Sequence, residues 1–230
     1  MIDHSAIYRS RRILHWHHRA RLRQVIREVK SLLDVSSVAD IGCSNGYVTN
    51  LLSEVCHGDV YGFDHLPELV DRARSDYPHI DFQRVDLNRP IKWERGFGLV
   101  CCLETLEHVR DLHTALENVC AAVQNGGILI VTVPVETGAW GLAKYCLKSL
   151  LGYPMDEINV GRSEYFIALL TGRDISKFRK EKSSWAAEYG FATHYGFDWR
   201  VLEERISATM RIKRAYTTYA TRIIVAQYAE

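Results

Sequence analysis

No Cys-x-x-Cys pair occurs among the six cysteines, Cys43, Cys56, Cys101, Cys102, Cys120 and Cys146. That removes the simplest zinc and thioredoxin-type signatures. Most of the cysteines fall inside apolar segments, where a free thiol packs as a small hydrophobe. The pattern fits a reducing compartment and excludes a disulfide scaffold. No apolar run approaches the ~20 residues that a membrane-spanning helix needs. Residues 1–12 lack the apolar core of a secretory signal. The expectation is a cytoplasmic protein with no transmembrane segment. An excess of charge is missing too: the net charge is +1, so the chain taken whole carries no electrostatic signature of a partner. Internal repeats and low-complexity segments are also absent.

What is present is a chain of 230 residues, 47% apolar, enough for one α/β domain with a large core. The charge is unevenly spread. Residues 1–30 hold eight Lys/Arg against Asp3 and Glu28, so the first 30 residues carry +6 and the rest −5. A basic arm on a mildly acidic body suits an acidic substrate, RNA or an anionic membrane surface; it equally suits a solvated helix face. Apolar residues at helical spacing, such as Leu22, Val25, Ile26 and Val29, predict a helix over 5–33.

Beyond it, short apolar runs alternate with amphipathic helices. Strands are expected at 38–41, 60–63, 80–85, 99–103 and 128–133, and helices at 46–55, 67–75 and 112–123. Asn125-Gly126-Gly127 reads as the stop of the last of these helices. This rhythm argues for a parallel sheet with helices on both faces and right-handed crossovers. It breaks after Pro134. Residues 135–198 read as a helical insertion over the sheet edge, with helices at 142–151 and 164–170 and a basic, solvated stretch at 173–182. A helix at 199–209 and two antiparallel strands, 210–216 and 222–228, complete the pattern. The expected architecture is a Rossmann-like, seven-stranded, mostly parallel sheet with an antiparallel final strand. It comprises a basic arm over 1–35 and a domain over 36–230.

The strongest local signal is Val38-Ala39-Asp40-Ile41-Gly42-Cys43-Ser44-Asn45-Gly46-Tyr47. A strand enters a glycine-containing turn that opens a helix, which places a ligand at the carboxyl end of the strands. Asp64 ends the next strand, where a carboxylate can accept both hydroxyls of a ribose. Asp86 ends the third, where it can face an adenine edge. A dinucleotide site would need Gly-x-Gly-x-x-Gly, but Ser44 and Tyr47 break that fingerprint.

These residues resemble the class I S-adenosylmethionine (SAM)-dependent methyltransferases. The resemblance covers residues 36–134 well and 190–230 more loosely. It rests on the Asp-x-Gly-x-x-x-Gly turn, the acidic Asp64, Asp86-Leu87, Leu103-Glu104-Thr105-Leu106-Glu107-His108-Val109, and Asn125-Gly126-Gly127 before Val133-Pro134. It implies SAM as cofactor and S-adenosylhomocysteine as product. It further implies that Asp40, Gly42, Cys43, Ser44 and Gly46 cradle the methionyl part. Asp64 and His65 lie at the ribose, Asp86 and Leu87 at the adenine, and Leu103 and Glu104 near the methyl group. Many family members carry Gly where Ser44 stands.

Glu104, Glu107 and His108 sit within five residues at the mouth of this site. Their spacing is similar to that of the metal-using ubiquinone-pathway O-methyltransferases and small-RNA 2′-O-methyltransferases. The latter add a downstream His, which His194 would match. A metal on Glu104, Glu107, His108 and His194 would lower the pKa of an acceptor hydroxyl. The favoured reading needs no metal: His108, with Glu104, acts as catalytic base, and in-line positioning does most of the work. Trp140, Tyr145 and Tyr165 either line an acceptor pocket or pack, Cys101-Cys102 fills a strand, and Trp16 with His15, His17 and His18 forms a partly buried aromatic face.

The reading is thus O-methylation of a small molecule, a sugar or glycan, or an isoprenoid-type acceptor, under a lid made of residues 1–30 and 135–198. Nucleic acid is a partner only through the basic arm. The rivals are an RNA 2′-O-methyltransferase with a bound divalent metal, and a non-catalytic partner subunit. Docking on a membrane surface through the arm or the 142–151 helix is a further option.

Overall fold

Alternating apolar runs and amphipathic helices fold as such a pattern must, with the strands in one layer and the helices covering both of its faces. The computed structural model describes residues 16–32, 35–153, 155, 158–180, 190–191, 193–218 and 220–228. In chain order the elements are α1 (Trp16–Lys30), β1 (Ser37–Ile41), α2 (Tyr47–Ser53), β2 (Asp59–Asp64), α3 (Pro67–Asp76), β3 (Asp81–Arg84) and β4 (Phe97–Leu103). There follow α4 (Leu112–Ala121), β5 (Val123–Pro134), α5 (Gly138–Leu150), α6 (Arg162–Thr171), a 3₁₀ turn (Ser176–Phe178), α7 (Trp199–Thr209), β6 (Arg211–Thr218) and β7 (Thr221–Gln227).

The seven strands lie in the order β3-β2-β1-β4-β5-β7-β6. The first five are parallel, and β7 is antiparallel to both β5 and β6. The order reverses between β1 and β4, and a crevice opens outside the carboxyl ends of strands at such a point. Period-two alternation sends neighbouring residues to opposite faces. Ala39, Val100, Cys102, Leu129 and Val131 pack on one face with Leu116 and Val119 of α4 and Leu202 and Ile206 of α7. Val38, Leu99, Cys101, Ile130 and Val225 pack on the other with Val25 and Val29 of α1 and Leu52 of α2. Cys101 and Cys102 are therefore strand filler, as expected.

The insertion has a core of its own. Tyr145, Tyr165, Ile175, Phe178 and Tyr195 are buried together, so the two tyrosines pack while Trp140 is exposed. Within the predicted basic stretch, Ile175 and Phe178 are buried, and Arg179 is tied to backbone carbonyls rather than solvated; residues 181 and 182 lie outside the described residues. The start of the predicted first helix, with His15, also lies outside them. Trp16 is 47% exposed and His18 is half-buried against the cleft; the side chain of His17 is not among those described.

Three further boundaries differ from expectation. Asp86 stands two residues past the end of β3. α4 stops at Ala121 because Ala122 already turns towards the sheet, where its carbonyl accepts from Phe97 N–H. Asn125-Gly126-Gly127 is consequently not a helix stop. It lies within β5, where the pairing with β4 jumps from Phe97↔Val123 to Leu99↔Ile128.

Candidate functional site

The turn after β1 sits at the point of strand-order reversal. Gly42 and Cys43 both donate backbone N–H to the Phe63 carbonyl. Ser44 N–H donates to Asp64 Oδ2 at 2.8 Å, and Leu66 N–H to Asp64 Oδ1 at 3.0 Å. The carboxylate that ends β2 thus braces the turn that ends β1, with lone pairs left over for a ligand. Gly42 has φ +83°, and a Cβ there would lie 2.1 Å from Thr105 Oγ1; only glycine lets the two loops approach so closely. Ser44 also takes a left-handed φ of +52°, which explains why glycine suits this place. Asp40 is buried beneath the turn and accepts a 2.7 Å hydrogen bond from Thr49 Oγ1. Burial, with a smaller push from Asp64, raises its carboxyl to about 7 against the pull of the Thr49 bond.

Around this turn lies a cleft of about 560 Å³. It brings together Asp40, Gly42, Cys43, Ser44, Asp64, His65, Asp86, Leu87, Leu103 and Glu104. Gly46 does not line it; its φ of +77° instead starts α2. The size suits a nucleoside-sized ligand.

α1 supplies two wall residues that the motif reading missed, His18 and Arg21. Arg21 Nη1 lies 2.8 Å from Glu104 Oε2, and both side chains are largely shielded. Glu104 also holds a left-handed φ of +51°, its N–H donating to the Thr132 carbonyl. Spacing could have revealed Arg21, because it shares the core-facing stripe of Val25, Glu28 and Val29, all of them buried. Glu104 Oε1 and Ser44 Oγ are buried without a hydrogen-bond partner among the described residues. Native proteins rarely leave such atoms unmatched, so both fit a polar ligand in the cleft.

In the same cleft Glu107, His108 and His194 converge, one ligand atom of each lying within 4.8 Å of the others. Glu104 is not among them, since Arg21 engages it. Glu107 is fully buried, and neither of its oxygens has a hydrogen-bond partner among the described residues. Burial, then the neighbouring Glu104 charge, pushes its carboxyl well above the usual range, against the pull of Arg21 and Arg179. The loop carrying His194 is stitched to the segment carrying His108. Phe191 N–H donates to the His108 carbonyl, and His108 Nδ1 donates back to the Phe191 carbonyl, both at 2.7 Å. Gly190 makes the stitch at φ +128°, where a Cβ would fall 1.7 Å from the His108 carbonyl oxygen. Arg179 Nη2 donates to the carbonyls of Glu107 and Thr193. His194 Nδ1 lies 3.5 Å from Glu136 Oε1, and its ring centroid 5.1 Å from that of His108. Burial works to raise the Glu136 carboxyl, but the His194 hydrogen bond and the charges of Lys144 and Lys148 outweigh it and hold the group at about 2. Glu136, Arg179 and Gly190 carry no motif and were not singled out from sequence.

This geometry can hold a nucleoside-linked amino acid on one side and work on a polar acceptor on the other. The comparisons agree with the first half. Ubiquinone biosynthesis O-methyltransferase of Coxiella burnetii is 29% identical over 121 residues, half of each chain. Trans-aconitate 2-methyltransferase of an Enterobacter species is 30% identical over 105 residues, 45% of this chain and 41% of its own. The chain thus spans about half the length of the first of these relatives and less of the second. Among solved structures, magnesium protoporphyrin IX methyltransferase (ChlM) of Synechocystis, with bound S-adenosylhomocysteine, has a TM-score of 0.65 at 16% identity, over 98% of this chain and 92% of that one. The N-methyltransferase NodS of Bradyrhizobium japonicum, also with S-adenosylhomocysteine, has a TM-score of 0.60 at 16% identity, over 93% and 88%. These two likenesses carry the fold. Residues 8–195 match the family described as "Methyltransferase domain", and the chain belongs to that family, in its class I, SAM-dependent form.

Proposed function

We propose that this protein transfers the methyl group of SAM to a hydroxyl of a small molecule, a sugar or glycan, or an isoprenoid-type acceptor. The observation that carries the reading is the single cleft that Asp64, Ser44, Arg21 and Glu104 share with Glu107, His108 and His194. In this reading Asp64 accepts from the ribose hydroxyls, and Asp86 and Leu87 border the base. Gly42, Cys43 and Ser44 lie along the methionyl chain. A zwitterionic amino-acid end suits the buried pair of opposite charges, Arg21 for the carboxylate and Glu104 for the ammonium. The cofactor, when bound, supplies an electrophilic methyl on a sulfonium. The chain then has to orient the acceptor in line and receive its proton. In this reading His108, whose Nδ1–H donates to Phe191, takes that proton on Nε2, which faces Glu107 Oε1 at 4.0 Å. His194, with Nδ1 beside Glu136, is a second imidazole held in the same way. α1 and the 135–198 insertion together form the lid.

A second reading is supported by one observation. The unmatched oxygens of buried Glu107, beside His108 and His194, fit a divalent cation with oxygen and nitrogen ligands. Such an ion would acidify the acceptor hydroxyl, as in the RNA 2′-O-methyltransferase reading, with Glu104 outside the ligand set because Arg21 engages it.

One experiment separates the readings. Methyl-labelled SAM is incubated with the protein and host extract fractionated into RNA, lipid, polysaccharide and small molecules, with and without EDTA. Label in a lipid, glycan or small-molecule fraction that survives EDTA supports the first. Label in RNA that EDTA abolishes establishes the second. No label despite SAM binding would point to an acceptor missing from the extract or to a non-catalytic subunit. Replacing His108 by Ala should lower turnover far more than SAM affinity; wild-type turnover would exclude it as base or ligand.

A further inference from the structure

A helix on a protein surface normally turns its apolar stripe inward and its charges outward. α5 and α6 break this rule on their outer faces. Nine large hydrophobic side chains are exposed among the described residues, and eight of them lie between Trp140 and Leu170. α5 buries Gly141 and Tyr145. Its outward positions carry Trp140 and Leu147, both 58% exposed, and Leu150, 85% exposed, with Leu151 just beyond at 65%. α6 buries Tyr165, Ala168 and Leu169 and turns Ile167 and Leu170 outward. Tyr145 and Tyr165, with ring centroids 5.4 Å apart, join the two helices from within, so the insertion has its core and still presents an apolar exterior. Singly scattered apolar residues need no explanation, but a concentration on one element marks an interaction surface.

Charge and composition choose the occupant. From Gly138 to Tyr153 the sequence has Lys144 and Lys148 and no carboxylate, and residues 138–180 hold seven Lys/Arg against four Asp/Glu. Both lysines contact Glu136, which offsets one of the two charges and leaves the segment weakly cationic. An anionic bilayer surface complements it. Trp140 and Tyr153 stand at the two ends of the leucine stripe, and such amphipathic aromatics settle at headgroup depth. The described helices include none long and apolar enough to cross a membrane, so the face would lie on the bilayer. It also adjoins the cleft, because Lys144 and Lys148 contact Glu136, and Glu136 contacts His194.

We propose that the outer face of α5 and α6 docks on anionic lipid bilayers. The inference does not rest on the methyl-transfer reading. The test is flotation of the protein with vesicles of phosphatidylcholine alone and of phosphatidylcholine with phosphatidylglycerol. The wild type should float with the anionic vesicles. Leu150→Gln/Leu151→Gln should lower its partition about tenfold or more, since each leucine forfeits burial in the interface. Circular dichroism, melting temperature and SAM affinity should not move, because both side chains are exposed in the free protein. A wild type that ignores both kinds of vesicle overturns the proposal, as does a variant that floats like the wild type. A wild-type dimer by light scattering that the double change dissolves, with no vesicle binding, would reassign the face to a second copy.

Discussion

The contact between Arg21 and Glu104 offers the sharpest test of how α1 is held over the cleft. The two groups are 2.8 Å apart, with side chains 8% and 18% exposed. Removing one partner of a buried pair costs ~3–5 kcal/mol, mostly because the other charge is stranded. Partial access of water to Glu104 places Arg21→Met near the lower edge, about 3 kcal/mol, and Glu104→Gln should cost a similar amount. Arg21→Met/Glu104→Gln strands neither charge and should cost no more than either single change. The coupling between the sites is then about 3 kcal/mol in size, at the top of the range for contacting residues. Urea unfolding read by linear extrapolation measures all three values, with constant slopes showing that the denatured state has not changed. Single changes costing under ~1 kcal/mol, or a double change equal to their sum, would show a solvent-screened pair. Apolar packing of Val25 and Val29 and the contacts of Glu28 with Tyr216 and Arg214 would then hold the helix alone.

If Asp64 accepts two ribose hydroxyls as proposed, Asp64→Ala removes both bonds; at ~1.5–3 kcal/mol per bond to a charged group, calorimetry should show SAM bound at least ~100-fold more weakly, and unchanged affinity would place the cofactor elsewhere. Two buried carboxyls give stability opposite pH slopes. Asp40, raised from 3.8 to about 7, stabilises the folded state in its protonated form, so its contribution is lost as pH rises from ~4 through ~7. Glu136, lowered from 4.5 to about 2, contributes above pH ~4.5 and loses that contribution as pH falls towards ~2. Asp40→Asn should flatten the first slope and Glu136→Gln the second in melting curves across pH; slopes that persist would assign them to other groups. Gly190→Ala should unpick the stitch between His108 and Phe191, lowering turnover while SAM affinity stays within about twofold of wild type; intact turnover would show that the loop relaxes without moving His194.

The turn after β1 and its place in the cleft were legible because the pattern is local. Asp40, Gly42, Ser44 and Asp64 lie at strand ends, where backbone direction and side-chain type together announce a ligand. The cluster of Glu107, His108 and His194 was legible only in part. Glu107 and His108 stood out as neighbours, but nothing in the sequence shows that Arg179 and Gly190 bring His194 to them, since those contacts join residues 72 and more positions apart. Grouping Glu104 with Glu107 followed from spacing alone. The structure separates them because a left-handed turn at Glu104 aims its carboxylate at Arg21. Asn125-Gly126-Gly127 was misread because a helix stop and a strand excursion use the same glycines, and only the β4 partner decides between them.

The last strands of the sheet do not lie in chain order: β7 is inserted between β5 and β6. Until Thr221–Gln227 have left the ribosome, the β5 edge has no neighbour on that side, and Val225 has not yet joined the core face that receives α1. Glu28 of α1 meets its partners Arg214 and Tyr216 across more than 180 residues of chain. A nascent chain stalled before β7 would therefore expose an unpaired, Ile- and Val-rich β5 edge, the kind of edge that pairs with other chains.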